Sequence, residues 1–500
     1  MTELASWPLL STLLALPVLG ALATAVLRRA PWAQWLALGS AVLTLLCSLL
    51  IVVAFDGANA GFQLIDSASW IAGLKIGYLV GVDGLSLLFL PATALLFCGA
   101  VLAGWRVAAT ASPVPPGLYF ALLLLLEAAT LGVFCALDTI LFFFCWELTV
   151  LPIYFLVSLW GIGGGRQAAA VRYFLVMLAS GVPLLFGLLA LVFGNAAAGS
   201  GALVFDLPTL LDSPLAEHAQ YTVFLLLLVG FAAKVPLVPL HTWLPALAMG
   251  APAAVTALIV GLKLGAYGLI RLAIPLAPVA ASDLHWLLAG LGTLAMLYGA
   301  VAALAHSNLR GVLAYASLSH VGLVVLALAT FSASALQGAV LQLLNFSVAG
   351  GGGFLVLSFL QRRSGSTDIA QLGGVIRSMP LLSGFFLLFG LAGIGLPGTS
   401  GFPGELLIVV AALHSHTGAG LAALFGTVVG AAAFLAPFRH AFLGPLRNPD
   451  VAAGQDLLPR ELALLLAPAL LILGVGVYPL PILELLRPTA EAWVAALAGL

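Results

Sequence analysis

Long apolar stretches separated by short polar loops make up almost the whole of the 500-residue chain. The stretches are unbroken runs of Leu, Ala, Val and Gly, unlike the alternating residues of a membrane β-barrel strand. Most are about 20 residues long, the length at which an α-helix crosses a bilayer. The pattern predicts an all-α polytopic membrane protein with about fourteen transmembrane helices, at 7–27, 32–54, 79–104, 117–136, 139–160, 168–193, 220–240, 251–275, 284–305, 309–329, 335–360, 381–412, 418–443 and 457–479.

The composition agrees with this fold class. Hydrophobic residues form 63% of the chain and charged residues only 7%, and the mean hydropathy is +1.20. These values exclude a soluble globular protein. A net charge of −1 gives no reason to expect a nucleic-acid partner.

Metal and cofactor sites are not predicted for this chain. Its cysteines show no metal-binding spacing and are interpreted as packing residues: Cys47, Cys98, Cys135 and Cys145. His414 and His416 have no third ligand nearby in sequence. The glycine clusters at 161–165 and 350–353 follow no strand and precede no Gly-Lys-Ser/Thr motif, so close helix packing or a flexible helix end explains them better than phosphate binding.

The loops alternate in charge and predict the orientation. Loops after odd-numbered spans, with their flanks, carry Arg28, Arg29, Arg106, Arg166, Arg172, Arg310, Arg362, Arg363, Arg377, Arg439, Arg447 and Arg460. Loops after even-numbered spans carry mainly acids: Asp56, Asp66, Asp138, Asp206, Asp212, Glu217 and Asp283. The positive-inside rule then places both termini on the outer, periplasmic side of a bacterial inner membrane. The first span follows Glu3 and no Lys or Arg, so it is not expected to be a cleaved signal.

Five acidic or basic residues lie deep inside predicted spans, in otherwise apolar sequence: Glu127, Glu147, Lys234, Lys263 and Glu405. Each should cost roughly 2.5–3.5 kcal/mol at the centre of a bilayer on insertion scales, so each needs a partner, water or a function. Acids and lysines that alternate through a membrane are what a proton path requires. The alternative is a set of incidental charges at packing kinks.

An internal repeat supports the transport interpretation. Glu147 and His320 are 173 residues apart, and Lys234 and Glu405 are 171 residues apart. Lys234 and Glu405 both lie in proline-broken segments, and five spans separate the equivalent elements. Because five is an odd number, the two repeats are inverted in the membrane, as in many transporters. The freed backbone groups of a broken helix need protein or water around them, which predicts an internal wet cavity.

The segments that carry these residues resemble the antiporter-like subunits of respiratory complex I. The resemblance rests on Leu137-Asp138, 142–147 (FFFCWE), 234–245 (KVPLVPLHTWLP), 314–320 (AYASLSH) and 395–405 (GLPGTSGFPGE). It covers nearly the whole chain. A glutamate in the twelfth span resembles the M-type subunit, because the other types usually carry lysine there.

The resemblance implies a domain organisation and partners. It implies N-terminal helices 1–3 (1–110), a first inverted repeat of helices 4–8 (117–275), a second of helices 9–13 (284–443), and helix 14 with a tail (457–500), with discontinuous helices 7 and 12. It also implies no redox centre in this chain. Flavin, iron–sulfur clusters and quinone are expected in partner subunits, with which this chain would form a membrane arm.

The resemblance assigns a role to each buried residue along the path. Glu147 and Lys234 should form the ion pair of the first half-channel, and Lys263 should be the central relay. The alternative for Glu147, Lys234 and Lys263 is a static pairing that transfers no proton. His320 should pass protons onward, because imidazole titrates near physiological pH, although a lone histidine is usually a hydrogen-bonded core residue. Glu405 should hand protons to the outer side.

Two further residues are secondary candidates. Glu127 is expected either to tune the region around Glu147 or to contact a neighbouring subunit. His241, in the broken seventh span, is interpreted as structural with a potential role in proton conduction.

The sequence departs from the family pattern at several places. Ala246 and Ala248 stand where an acid and a histidine are expected, Phe346 where a histidine is expected, and Asn308 where an aspartate is expected. The segment from Pro252 to Lys263 is about two residues short, which is half a helical turn and affects the direction of Lys263.

The sequence allows three functions. The leading one, which Glu405 favours over the second, is a proton-translocating subunit of an NADH:quinone oxidoreductase. The second is a subunit of a cation/proton antiporter, a membrane-bound hydrogenase or an inorganic-carbon-uptake complex. The third is a structural membrane module that does not conduct, against which the retained buried charges argue.

Overall fold

The computed structural model describes residues 7–30, 32–110, 114–199, 201–213, 215–446 and 448–498, and only the backbone of residues 106, 109, 110 and 498. Glu3, Arg447 and the side chain of Arg106, which were used above, lie outside the described residues. The described chain is mostly helical and carries many membrane-length helices, so the predicted all-α polytopic fold class is confirmed.

Eight helices form the first six predicted spans. They are α1 (Leu9–Val26), α2 (Ala33–Ala54), α3 (Gly84–Leu87) with α4 (Phe89–Thr110), α5 (Pro116–Cys135), α6 (Thr139–Leu148) with α7 (Val150–Trp160), and α8 (Arg166–Ala198). The first span packs against the second and the fourth. A short helix, α9 (Leu207–Asp212), precedes the seventh span.

The seventh span is broken, as predicted. It consists of α10 (Glu217–Lys234) and α11 (Trp243–Gly250), and residues 235–242 between them are not helical. Pro236 and Pro239 lie in this segment. A proline removes a helical hydrogen bond and clashes with the preceding turn, which explains the break.

The eighth span is also broken, which was not predicted. It consists of α12 (Ala253–Gly261), α13 (Leu264–Gly268) and a π-helical turn at Leu269–Ala273. The interruption lies at Lys263, whose φ of +44° is in the left-handed region. Gly261 and Gly265 flank this position, but no proline lies at it, and glycines are frequent throughout the spans, so the break was not predicted.

The second half of the chain contains the remaining spans. It consists of α14 (Pro278–Asp283), α15 (His285–Leu304), α16 (Leu309–Leu328), α17 (Ala333–Ser364), α18 (Val375–Ser378), α19 (Pro380–Gly393), α20 (Gly401–Ser415), α21 (Thr417–Phe442), α22 (Pro449–Ala452) and α23 (Pro459–Val477). The predicted break in the twelfth span is present, because residues 394–400 separate α19 from α20.

Twelve helical stretches of the described chain are long and apolar enough to cross a membrane. Of the fourteen predicted spans, the seventh and the twelfth are not among these twelve stretches. The break divides the twelfth into shorter helices, and the polar first turn of α10 lowers the hydropathy of the seventh. The predicted total of about fourteen therefore agrees with the described helices when each broken span is counted once.

The predicted start of the third span, at residue 79, was wrong. Residues there belong to an antiparallel hairpin of β1 (Gln63–Ile71) and β2 (Ile76–Val82), in which Ser67 lies opposite Leu79. The helix begins only after Asp83, whose side chain caps α3. The apolar run 76–82 fits either a strand or the start of a buried helix, and its pairing with β1 makes it a strand.

The predicted C-terminal tail also contains a helix. Residues Leu480–Ala498 form α24. The Trp493 indole donates a 3.0 Å hydrogen bond to the Ile270 carbonyl oxygen, and the Gln337 amide donates a 2.9 Å bond to the Leu483 carbonyl oxygen. This helix is therefore anchored to the eighth and eleventh spans.

The centre of the bundle is formed by α5, α12, α16 and α17, whereas α21 and α23 keep most of their surface outward. The glycines at 350–353 allow close packing around α17. A Cβ atom at Gly352 would lie 2.9 Å from the Phe389 ring, and one at Gly351 would lie 2.5 Å from Leu96 Cδ2. The interpretation of this cluster as a packing element is confirmed.

Candidate proton path

Lys234 is the last residue of α10, directly before the break in the seventh span. Its amine donates hydrogen bonds to the Trp146 carbonyl oxygen at 3.0 Å and to Thr149 Oγ1 at 2.9 Å. The same amine lies 3.8 Å from the centre of the Trp146 ring. The lysine is therefore held at the junction of α6 and α7 by two neutral acceptors and an aromatic face.

Glu147 does not form the predicted direct ion pair with Lys234. None of the ion pairs within 4.0 Å among the described residues joins them. The Glu147 carboxylate lies against Gly181 of α8, where an added Cβ would be 2.4 Å from Oε1, and Oε1 has no hydrogen-bond partner in the described chain. The predicted contact pair is wrong for this structure: the Glu147 carboxylate lies against α8, whereas the Lys234 amine is bonded at the junction of α6 and α7.

Lys263 occupies the break in the eighth span and faces α16. Its amine donates a hydrogen bond to Ser317 Oγ and lies 4.6 Å from the centre of the Phe346 ring. The left-handed turn at Lys263 sets this direction, in the segment that the sequence showed to be short. Its partner is a hydroxyl group on another span rather than a backbone carbonyl.

The two lysines face a common cavity. Its lining includes Thr149, Lys234, Lys263 and Ser317, and its volume is about 40 Å³. A buried water needs roughly 10–15 Å³ and two to four polar partners. The cavity therefore has the space and the polar groups to hold water between the two amines.

His320 lies near the middle of α16 with both ring nitrogens against backbone acceptors. Nδ1 is 2.6 Å from the Ala316 carbonyl oxygen, and Nε2 contacts the carbonyl oxygen of Gly393. An imidazolium donates both hydrogen bonds, whereas a neutral imidazole donates only one. Because Gly393 ends α19, the protonation of His320 is coupled to the break in the twelfth span.

Glu405 lies in the first turns of α20, after that break. Its carboxylate packs against Gly395, whose φ is +67° and where an added Cβ would be 2.0 Å from Oε2. Glu405 and His320 line a second cavity of about 60 Å³ together with Phe346. This volume is also enough for water between the histidine and the acid.

Lys263, which lines the first cavity, contacts Phe346, which lines the second. Phe346 lines the second cavity, its ring centre is 4.5 Å from that of His320, and the Lys263 amine approaches the same ring. The structure thus brings together Lys234, Lys263, His320 and Glu405 in one series, with a phenyl ring in its middle.

The secondary candidates lie outside this series. Glu127 is completely buried in α5, and neither of its carboxylate oxygens has a hydrogen-bond partner within the described residues. The His241 ring packs 4.8 Å from the Tyr298 ring, and it lines neither of the two cavities. Neither residue contacts Lys234 or Lys263 by a hydrogen bond in the described part of the chain.

Sequence reasoning missed the hydroxyl partners of the lysines and the glycine beside Glu405. Ser317 lies one helical turn before His320 on α16, and this spacing is the signal that could have identified it. Thr149 follows Glu147 by two residues at the α6–α7 junction. Nothing in the local sequence distinguishes it from other threonines of the spans.

The described residues contain no group of three or more potential metal ligands. In the structure, however, His285 lies beside His416. His416 Nε2 lies 2.8 Å from His285 Nδ1; His416 directly precedes α21, and His285 is the first residue of α15. Burial and the neighbouring His285 both lower the pKa of His416.

A helical membrane bundle with broken spans and a buried series of lysines, acids and a histidine defines an antiporter-like membrane subunit. Residues 136–430 match the family model described as "NADH:quinone oxidoreductase/Mrp antiporter, TM". The chain therefore belongs to the NADH:quinone oxidoreductase/Mrp antiporter family of membrane subunits.

Individual relatives agree with this assignment. The chain is 35% identical to the NADH-quinone oxidoreductase subunit M of Pseudomonas aeruginosa over 480 residues, which cover 93% of each chain. It is similar to a chain of respiratory complex I from Thermus thermophilus, with a TM-score of 0.88 and 32% identity over 98% of this chain and 100% of that chain. A chain of the Mrp complex from Dietzia sp. shares the fold, with a TM-score of 0.84 and 23% identity over 99% and 100% of the two chains. The predicted resemblance to an M-type antiporter-like subunit is confirmed.

Proposed function

We propose that the chain is a proton-translocating membrane-arm subunit of an NADH:quinone oxidoreductase. The observation that carries this proposal is a pair of internal cavities, one lined by Lys234 and Lys263 and the other by His320 and Glu405. The names of the Pseudomonas relative and of the Thermus complex support the assembly. Partners are then the other membrane-arm subunits and the lipid bilayer, and the transported species is the proton.

The proton moves along this series by changes of protonation state. The Lys234 ammonium gives its proton through the first cavity to the Lys263 amine, which becomes an ammonium. Lys263 then protonates His320, and His320 protonates the Glu405 carboxylate through the second cavity. Glu405 releases the proton on the outer side and regains its negative charge.

Glu147 controls the first step by approaching or leaving Lys234. When the pair is closed, the carboxylate stabilises the ammonium, which keeps its proton. When the pair is open, as here, the ammonium has only neutral partners and transfers its proton more readily. Such a two-state element can couple transport to an event elsewhere in the complex.

The two halves of the chain act as inverted repeats in this proposal. The first covers 117–275 and the second 284–443, with residues 1–110 and 457–500 as flanking elements. The broken spans at 235–242 and 394–400 support the division, since each half has a break beside a residue of the path. Glu127 and His241 act as secondary residues beside the first half.

The redox chemistry takes place in partner subunits. Flavin, iron–sulfur clusters and quinone bind there, and this chain has no redox centre of its own. The protein lies in the bacterial inner membrane with both termini on the periplasmic side. The arginines of the loops after odd-numbered spans support this orientation.

Inside-out membrane vesicles test the transport function directly. Proton uptake per NADH oxidised is measured for the wild type, for Glu147→Gln and for the control Glu484→Gln, whose carboxylate is 55% exposed on α24. Glu147→Gln is expected to lose most of the uptake, and Glu484→Gln to retain it. Wild-type uptake in Glu147→Gln would contradict the role of the Glu147–Lys234 pair.

Copurification tests the assembly separately. A tag on this chain should bring down subunits that contain flavin and iron–sulfur clusters, which are detected by absorbance and electron paramagnetic resonance. Isolation with membrane subunits only, and sodium-dependent proton exchange in vesicles, would instead assign the chain to a cation/proton antiporter.

A further inference from the structure

The series of titratable groups is interrupted at one side chain. Phe346, in α17, lies with its ring centre 4.6 Å from the Lys263 amine and 4.5 Å from the His320 ring centre. It is 3% exposed, so it is shielded from bulk water. The ring therefore separates the two central proton-carrying groups.

No hydrogen bond joins Lys263 to His320 within the described chain. The Lys263 amine donates to Ser317, and both His320 nitrogens contact the backbone oxygens of Ala316 and Gly393. A proton moves along donors and acceptors, and a phenyl ring provides neither. Direct transfer between these two groups is therefore blocked in this arrangement.

The ring also interacts with the proton carrier itself. An ammonium within about 6 Å of an aromatic ring centre is attracted by the ring's quadrupole. Lys263 is in this range, so Phe346 favours the protonated lysine and disfavours transfer from it. The ring thus acts on the charge of Lys263 as well as on the path that leads from it.

The ring has space to move on the side of the second cavity. Gly350 constrains it, because one edge packs closely there and an added Cβ would be 2.6 Å from Phe346 Cε1. The second cavity borders the ring and is also lined by Gly350, Gly393 and Glu405. A tilt of the ring into this space would let water reach from Lys263 to His320.

We infer that Phe346 is the gate of the central proton transfer: a positioning residue that retains the proton on Lys263 until the ring tilts and water bridges to His320. This inference rests on the proposed transport function. It gives the closed ring a definite role, which is to prevent protons from flowing back through the chain when no quinone is being reduced.

The test uses the complete complex in proteoliposomes and measures two quantities. The first is proton uptake per NADH oxidised. The second is passive proton flux under an imposed potassium–valinomycin potential without NADH. Phe346→His replaces the barrier with a titratable group, and Phe346→Leu keeps an apolar barrier without the aromatic face.

Phe346→His is expected to raise the passive flux several-fold and to lower uptake per NADH. Phe346→Leu should keep the passive flux at the wild-type value. The double variant Phe346→His with Lys263→Ala should return the flux to the wild-type value, which shows that the leak passes through the path rather than around a misfolded bundle. Phe144→His, on an exposed side chain of α6, is the control for a histidine in the membrane.

Wild-type passive flux in assembled Phe346→His would overturn the gate. A leak that persists in the double variant would overturn it equally. If Phe346→His does not assemble, Phe346→Gln gives the same comparison. Failure of the proposed transport function would appear differently, as normal uptake in Lys263→Ala alone.

Discussion

The side-chain amine of Lys234 donates a hydrogen bond to the main-chain carbonyl oxygen of Trp146, 3.0 Å away, and not to the carboxylate of the next residue. Consecutive helical residues point about 100° apart, and the Glu147 carboxylate lies against Gly181. Closing the ion pair therefore requires movement of the lysine or of the α6–α7 junction. This open arrangement is one of the two states that a coupled proton pump needs.

Lys234→Arg should assemble but pump poorly. A guanidinium can take the same acceptors and pair with Glu147, but it keeps its proton at physiological pH. The measurement is proton uptake per NADH in inside-out vesicles, with Lys75→Arg, on the exposed turn of the hairpin, as the matched control. Normal uptake in Lys234→Arg would mean that Lys234 does not release its proton.

Ser317→Ala should slow transport without preventing assembly. It removes the hydroxyl that accepts a hydrogen bond from the Lys263 amine, and a hydrogen bond to a charged group contributes about 1.5–3 kcal/mol. Lys263 is then less firmly positioned between the two cavities. Ser317→Thr keeps a hydroxyl and should restore the rate of proton uptake. Equal rates in both variants would show that this hydroxyl does not position the lysine.

Gly395→Ala should impair pumping although Glu405 itself is unchanged. The added methyl group would lie 2.0 Å from Glu405 Oε2, so the carboxylate must move. Gly398→Ala is the control, because Gly398 also has a positive φ, +89°, but an added Cβ there meets nothing within 4 Å. Both variants carry the strain of a left-handed alanine, about 1–2 kcal/mol. Only Gly395→Ala should lose proton uptake, and equal losses would indicate backbone strain instead.

The contact between His285 and His416 should weaken in acid. Burial and the proximity of His285 lower the pKa of His416 below its ordinary value of 6.5. A group whose pKa is lowered in the folded state stabilises that state fully above the ordinary value, and this contribution is lost as the pH falls through the lowered pKa. The other neighbours of His416 are Ser415, whose hydroxyl contacts Nδ1 at 3.0 Å, and His414 two residues earlier.

Amide hydrogen exchange at residues 413–418, corrected for its intrinsic pH dependence, measures this effect in the intact complex. The wild type should lose protection as the pH falls below about 6.5. His285→Gln should show a smaller change, because one of the two charges is absent, and His440→Gln should behave as the wild type. If the pH profile of amide exchange is identical in the wild type and in His285→Gln, the contact between the two histidines does not cause the pH dependence.

The fold could be predicted to the extent that local patterns determine it. Long apolar runs gave the spans, and the two closely spaced prolines at 236 and 239 indicated the break beside Lys234, because each removes a helical hydrogen bond and clashes with the preceding turn. The break at Lys263 could not be predicted in this way. Its left-handed backbone occurs at a residue type that does not favour it, so tertiary packing must impose it.

The path was harder to predict than the fold. Lys234, Lys263 and Glu405 were predicted because charged residues are rare in membrane spans, and His320 because of its place in the repeat. The structure places the four side chains along two cavities, and their roles stay predictions. The predicted contact partner of Lys234, Glu147, was wrong. The amine instead bonds to a backbone carbonyl oxygen, and the sequence does not show which carbonyl groups are accessible to a side chain. The strand at 76–82 was missed because its pairing partner lies across a turn.

The most direct test of the central claim is proton uptake by reconstituted complex that carries Glu405→Gln. Glutamine has nearly the shape of glutamate but cannot take up and release the proton that His320 delivers through the second cavity. The account predicts that Glu405→Gln assembles fully and loses most proton uptake per NADH, while Glu405→Lys keeps some uptake with a displaced pH optimum. Full uptake in Glu405→Gln would show that protons leave the chain elsewhere and would contradict the path.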